Sequence, residues 1–263
     1  MMYTGCLEGW FQKRRLAQVF LKDENIAERI VDCLDLNKED KVLEIGPGLG
    51  ILTHIILKKT SDLFVLEKDK DLGLFLKKKW PKLKVIVGDA LDFFWEKLKN
   101  FTKIIGNLPY NVASQILWDL VSSNIEVKKM VFTVQKEVAL KITAPVGDKN
   151  YGLLSVWLKH FADVKYEFTI GSSSFSPRPK VNSAVISIFP KKDKNRFENK
   201  EKFCKLIKIC FQKRRKQLKN ILKRIWSSDI ESYLISIGLG GDVRPEKLAP
   251  EDFYRLSYLV KEI

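Results

Sequence analysis

Histidine is nearly missing from this 263-residue chain, and cysteine is scarce, with two of the first and four of the second. His54 and His160 are too few for a histidine-rich metal site and speak against most triad hydrolases. Cys6, Cys33, Cys204 and Cys210 form no Cys-x-x-Cys pair. That argues against a zinc site or a disulfide framework, so no metal is expected and the setting is a reducing one. No apolar run reaches the roughly 18–20 residues of a membrane span. The N-terminus also lacks an apolar core followed by a small-residue cleavage site. The expectation is a cytoplasmic protein with no membrane partner. A Gly-x-x-x-x-Gly-Lys-Ser/Thr loop is absent too, which makes an ATPase a poor reading.

What is abundant is apolar surface and positive charge. Apolar residues make up 45%, enough for a buried core, and 47 lysines and arginines against 32 acids leave a net charge of +15. Clustered cations favour a polyanionic partner, because counterions are released from phosphate on binding. The excess is concentrated: residues 191–225 carry fifteen basic and three acidic side chains, whereas residues 226–263 carry four and seven. This shift after Pro190 places a domain boundary there, dividing the chain into residues 1–190 and 191–263.

Before the boundary, short apolar runs at 41–45, 63–67, 85–87, 103–106 and 130–134 alternate with helical patterns at 24–35, 51–59, 70–79, 112–123 and 136–142. This alternation predicts βαβ units and a parallel sheet. Runs at 164–170 and 184–189 add two strands joined by a proline-containing loop, hence a hairpin at one sheet edge with at least one antiparallel strand. The expected fold is α/β, a doubly wound, Rossmann-like sheet of seven strands. After the boundary, Phe203, Leu206, Ile207, Cys210 and Phe211 recur at helical spacing, and Leu218, Ile221, Leu222 and Ile225 continue the pattern. Short helices at 230–236 and 250–261 complete a small all-helical domain with one basic face.

Five features carry chemistry. In Glu44-Ile45-Gly46-Pro47-Gly48-Leu49-Gly50, a strand runs into three glycines two apart, with a helix directly after. Glycines there let the backbone approach a ligand at a strand's C-terminal end, although a glycine-rich turn without a ligand explains the motif alone equally well. Glu67 and Asp89 end the next two strands. The first can accept both hydroxyl hydrogens of a ribose, and the second can accept from an adenine amine. Singly each reads as a solvated strand end; together with the glycines they suggest an adenosine-type ligand. Gly106-Asn107-Leu108-Pro109-Tyr110 follows the fourth strand. Asn107 offers an amide oxygen, Pro109 turns the Leu108 carbonyl outward, and Tyr110 offers an aromatic face. Two acceptors beside a flat ring suit a planar amine on an extruded base. Phe175, opening a proline-stiffened loop, is a second aromatic that can clamp a base opposite Tyr110 or pack at the hairpin's foot. Arg178 and Lys180 in that loop, and Lys213-Arg214-Arg215-Lys216 on the basic helical face, are candidates for phosphate contact, which gives affinity rather than sequence choice.

Taken together, 44–50, Glu67, Asp89-Ala90, Asn107-Leu108-Pro109-Tyr110 and 175–183 resemble the rRNA adenine N6-dimethyltransferases. The segments 211–218 and 244–248 are similar to that family's small-subunit branch, and the resemblance runs from about residue 13 onward. It implies the family's methyltransferase sheet with a small helical C-terminal domain that contacts RNA. It also implies S-adenosylmethionine as cofactor and the small ribosomal subunit, through its 16S rRNA, as partner. Two adjacent adenosines near the 3′ end of that RNA would be dimethylated. By similarity, Glu44, Gly46, Gly48, Gly50, Glu67, Lys68, Asp89, Ala90 and Asn107 line the cofactor site, with Val19 and Leu21 beside them. Asn107, Leu108, Pro109, Tyr110 and Phe175 form the catalytic set, Tyr110 and Phe175 sandwiching the adenine.

One departure stands out. The family's Gly-Gln-Asn/His-Phe-Leu segment reads Ala17-Gln18-Val19-Phe20-Leu21 here, so Val19 offers only its backbone for polar contact. Residues 1–12 match no interpretable pattern. Two other readings stand beside the first: a large-subunit adenine methyltransferase of the macrolide-resistance type, and an assembly factor that kept the fold without the chemistry. A monomer is expected, since nothing suggests a dedicated interface.

Overall fold

The computed structural model describes residues 19–261; Ala17, Gln18 and the segment 1–12 lie outside the described residues. The chain forms two units, one made of residues up to Ala139 together with Val164–Pro190, the other of Leu140–Asp163 together with the residues from Lys191 onward.

The first unit is built on a seven-stranded sheet. Its strands are β2 (Val42–Ile45), β3 (Leu63–Glu67), β4 (Lys84–Val87), β5 (Lys103–Asn107), β6 (Lys129–Gln135), β7 (Ala162–Ile170) and β9 (Ser183–Pro190), in the spatial order β4-β3-β2-β5-β6-β9-β7. Strands β2 to β6 pair in parallel, and β9 is antiparallel to β6. The edge hairpin expected from the sequence is β7–β9. The central strand β2 is buried along its whole length, as a parallel strand covered on both faces must be. Helix α1 (Glu24–Asp32) precedes β2, and α2 (Ile51–Leu57), α3 (Lys70–Lys79) and α4 (Ala113–Val121) follow β2, β3 and β5, with α5 (Lys136–Thr143) after β6. Ile30, Val31, Ile55, Ile56 and Leu76 from the helices pack against Val42, Val65, Ile105 and Val131 of the sheet. Asp23 caps α1 by accepting from the Ile26 amide at 3.1 Å, which satisfies one of the donors a helix start leaves open.

A second, two-stranded sheet was not expected: β1 (Phe20–Leu21) pairs antiparallel with β8 (Phe175–Ser176). Strands of two residues carry no hydrophobic period, so the pattern cannot reveal them.

The second unit contains α6 (Leu153–Phe161), α7 (Lys200–Gln212), α8 (Leu218–Ile221), α9 (Ser228–Ser236) and α10 (Pro250–Leu259). The sequence reading assigns no element to 143–163, yet α6 lies there and groups with the helices beyond Pro190. The reason is aromatic packing. The Trp157 ring stacks on Phe203 at 5.7 Å, and His160 sits 4.5 Å from Phe203 and 4.4 Å from Tyr254. This earlier segment groups with the residues from Lys191 onward, and the charge shift after Pro190 does not mark it. His160 belongs to this core: burial holds its imidazole down at about 4, so it is neutral. Among the described residues, no helix is long and apolar enough to cross a membrane.

Candidate active site

The chain runs from β2 to β4 in one direction across the sheet and from β5 to β6 in the other. Neighbouring β2 and β5 therefore flank a topological switch point, where open α/β sheets bind ligands beyond the strands' carboxyl ends. A cavity of about 150 Å³ lies there, and its lining includes Val19, Leu21, Glu44, Gly46, Gly48, Glu67, Lys68, Asp89, Ala90, Asn107, Leu108, Pro109 and Tyr110. These residues come from distant parts of the chain, and the sheet brings them together.

The glycine turn is shaped by backbone constraints. Gly46, Gly48 and Gly50 all have positive φ, a region that costs other residues free energy. At Gly50 space is lacking as well, since a Cβ would lie 2.5 Å from the Trp80 ring. The Gly46 amide donates to the Leu66 carbonyl at 2.9 Å, and the Gly48 amide donates to Glu67 Oε2 at 3.2 Å. The Asp69 amide donates to Glu67 Oε1 at 2.9 Å. Glu67 thus keeps a fixed carboxylate at the cavity wall with lone pairs remaining on both oxygens. Burial raises its carboxyl above the ordinary value, opposed by those amides.

Asp89 is held by the Lys68 ammonium on one oxygen and by the Leu91 amide, 3.1 Å away, on the other. Burial pushes its carboxyl up, but the Lys68 bond and the Leu91 amide outweigh this and hold it below the usual range. It is an anionic acceptor at neutral pH. Lys68 is therefore anchored to Asp89 at the cavity wall.

Glu44 behaves differently. It is 1% exposed and accepts from the Thr53 hydroxyl at 2.6 Å. Burial, with a smaller contribution from nearby Glu67, pushes its carboxyl up to about 8, so it is protonated at neutral pH. The folded state thus holds a proton that the unfolded chain releases near pH 4.5, and stability falls as pH rises from there to about 8. Glu44→Gln, which stays neutral, should gain stability over the parent on the order of 3 kcal/mol between pH 4.5 and 7. Urea denaturation at several pH values checks this; parallel stability profiles for the two proteins would refute it.

Asn107 ends β5. Its Nδ2 donates to the Val19 carbonyl at 3.2 Å, while its Oδ1 is buried without a donor among the described residues. The backbone of Val19 does contribute here, and what it holds is Asn107. The sequence departure at residue 19 leaves that contact intact, because a carbonyl is independent of side-chain type. The Leu108 amide donates to the Thr133 carbonyl at 3.1 Å, which fixes the turn to the neighbouring strand. Tyr110 is partly buried at the cavity, its phenol bonded to Ser183. Burial lifts the phenol above its usual range against that bond, and it stays neutral.

Four sequence expectations need correction, the first being Gly50, which faces Trp80 and is not among the residues lining the cavity. Phe175 is absent from the cavity: it is 1% exposed and packs in the core with Leu21, Ile170 and Val31. Its register opposite Leu21 in the β1–β8 pair turns the ring inward, so it does not clamp a base opposite Tyr110. The basic run Lys213–Lys216 lies on the turn after α7 rather than on a helical face. Within that run Arg214 is engaged inside its own unit, donating to the carbonyls of Lys149 at 2.7 Å and Asp148 at 3.1 Å. Lys213, Arg215 and Lys216 are exposed, as are Arg178 and Lys180 in the loop before β9. Thr53 and Ser183 were missed as partners of Glu44 and Tyr110, because small polar residues carry no periodic signal.

The family described as ribosomal RNA adenine dimethylase matches residues 11–262. The ribosomal RNA small subunit methyltransferase A of Maridesulfovibrio salexigens is 43% identical over 253 residues, covering 95% of this chain and 95% of the relative. The protein of the same name from Borreliella burgdorferi is 39% identical over 251 residues, covering 91% of this chain and 85% of its own. A dimethyladenosine transferase from Plasmodium falciparum superposes with a TM-score of 0.78 at 28% identity, covering 90% of this chain and 95% of that structure. The 23S rRNA methyltransferase ErmE gives 0.71 at 24% identity, covering 92% and 99%, and shows the fold alone.

Proposed function

Since this chain belongs to the ribosomal RNA adenine dimethylase family, we propose that it dimethylates the N6 amines of two adjacent adenosines near the 3′ end of 16S rRNA. It acts on the small ribosomal subunit, as a cytoplasmic monomer, in ribosome biogenesis. The donor is S-adenosylmethionine, which supplies an electrophilic sulfonium methyl when bound. The cavity fits that cofactor on three grounds: a glycine turn open to close approach, the fixed carboxylate of Glu67, and the anionic acceptor Asp89 beside Ala90. Glu67 would accept from the ribose hydroxyls and Asp89 from the adenine amine, with Gly46 and Gly48 shaping the wall between them. Neutral Glu44, Val19 and Leu21 also line the cavity.

The observation that carries the reading is the partnerless buried Oδ1 of Asn107 at this cavity. An exocyclic adenine amine is a poor nucleophile because its lone pair is delocalised into the ring. An acceptor at Asn107, helped by the Leu108 carbonyl, draws an amine hydrogen and favours a pyramidal nitrogen with its lone pair exposed. Tyr110 offers the ring on which an extruded base stacks. Rate acceleration then comes from positioning and preorganised dipoles. No histidine lines the cavity among the described residues, and the released proton passes to water. Arg178, Lys180, Lys213, Arg215 and Lys216 hold RNA phosphates.

Radiolabelled S-adenosylmethionine, offered to small and large subunits that both lack the modification, tests this. Label should enter the small subunit alone. Label in the large subunit alone would transfer the assignment to 23S rRNA.

A further inference from the structure

Tyr110 is tethered at both ends. Its backbone is held at the start of α4, where the preceding Pro109 carbonyl accepts the amides of Val112 at 3.2 Å and Ala113 at 3.0 Å. Its phenol oxygen is bonded to Ser183 Oγ. Ser183 has no exposed surface. It is the first residue of β9, in register with Gln135 at the end of β6. The neighbouring Asn182 carbonyl accepts from the Lys136 amide at 2.9 Å, so the anchor is itself locked to the sheet.

The geometry of a phenol gives this tether a consequence. The oxygen lies on the axis through Cβ and Cγ, so holding it fixes the direction in which the ring projects and leaves only spin about that axis. The bond also points the hydroxyl at Ser183, so the part of Tyr110 left to meet a base in the cavity is its aromatic face. A face is indifferent to how many methyls an exocyclic amine carries, whereas a hydroxyl directed at that amine would distinguish them.

We propose that Ser183 is a positioning residue for methyl transfer, aiming the Tyr110 ring so that an extruded adenine stacks on a surface already in place. The proposal rests on the reading of Tyr110 as the stacking residue. Because subunit binding is dominated by phosphate contacts, a misaimed ring should lower kcat and spare KM.

The test is a double-mutant cycle on the full-length enzyme with unmodified small subunits. Ser183→Ala and Tyr110→Phe should each lower kcat roughly three- to tenfold, with KM for subunits unchanged. The double variant should lose no more than either alone, because both changes cut the same bond. Tyr110→Ala should lose more. S-adenosylhomocysteine affinity, measured by calorimetry, should match the parent in all four. If Tyr110→Ala is as active as the parent, the stacking reading itself fails. If Tyr110→Ala is impaired while Ser183→Ala and Tyr110→Phe are not, the positioning proposal alone is overturned. Multiplicative losses in the double variant would overturn it too, as would a Ser183→Ala loss matched by weaker S-adenosylhomocysteine binding.

Discussion

Replacing Asn107 by alanine should lower kcat for methyl transfer by about 10²–10³-fold, the scale seen when a preorganised polar group is removed from a reaction centre. S-adenosylhomocysteine binding should weaken by at most about tenfold, since one hydrogen bond contributes about 0.5–1.5 kcal/mol net. The asymmetry follows from how the amide is held. Its Nδ2 is committed to the Val19 carbonyl, which leaves Oδ1 as the group aimed at a ligand. Alanine removes the Val19 contact, about one net hydrogen bond, and stability should stay within about 1 kcal/mol of the parent. Steady-state kinetics with subunits and a urea titration check both halves. An Asn107→Ala protein that is fully active, or one that is inactive because it is unfolded, would contradict the argument.

Phe175→Ala should do the reverse, destabilising the fold by about 3–5 kcal/mol as large-to-small substitutions of buried rings do. With total stabilities commonly about 5–15 kcal/mol, that is a substantial share. The ring is 1% exposed, packed with Leu21, Val31 and Ile170, and its backbone pairs β8 to β1. Truncation therefore opens a cavity beside the strand that carries Phe20 and Leu21. Denaturation curves would show the loss directly, whereas the folded fraction should turn over at close to the parent rate. A Phe175→Ala protein as stable as the parent but slow in methyl transfer would restore the clamp and refute its placement in the core.

These two residues mark how far the sequence could be read. Asn107 was legible because a strand end followed by Leu-Pro-Tyr leaves few roles for an amide, and Glu67 and Asp89 were legible as acids ending successive parallel strands. The seven-stranded sheet followed from apolar runs whose lengths separate strands from helices. Phe175 was ambiguous, because an aromatic opening a proline-rich loop looks the same whether it faces a ligand or the core. Only the β1–β8 pairing decides, and two-residue strands have no period. The segment containing α6 was missed because its packing partners, Phe203 and Tyr254, lie far along the chain, and no local pattern displays such contacts. Arg214 shows a related limit, since a basic run displays its charges but not which of them turn back onto backbone carbonyls.

The most direct measurement is the position and number of methyl groups placed on RNA. Unmodified small subunits would be treated with the enzyme and S-adenosylmethionine, and the 16S rRNA digested with nuclease and resolved by mass spectrometry. Two adjacent N6,N6-dimethyladenosines near the 3′ end, absent with Asn107→Ala, are the predicted result. Unmethylated 16S rRNA from an enzyme that still binds S-adenosylhomocysteine and the subunit would contradict it.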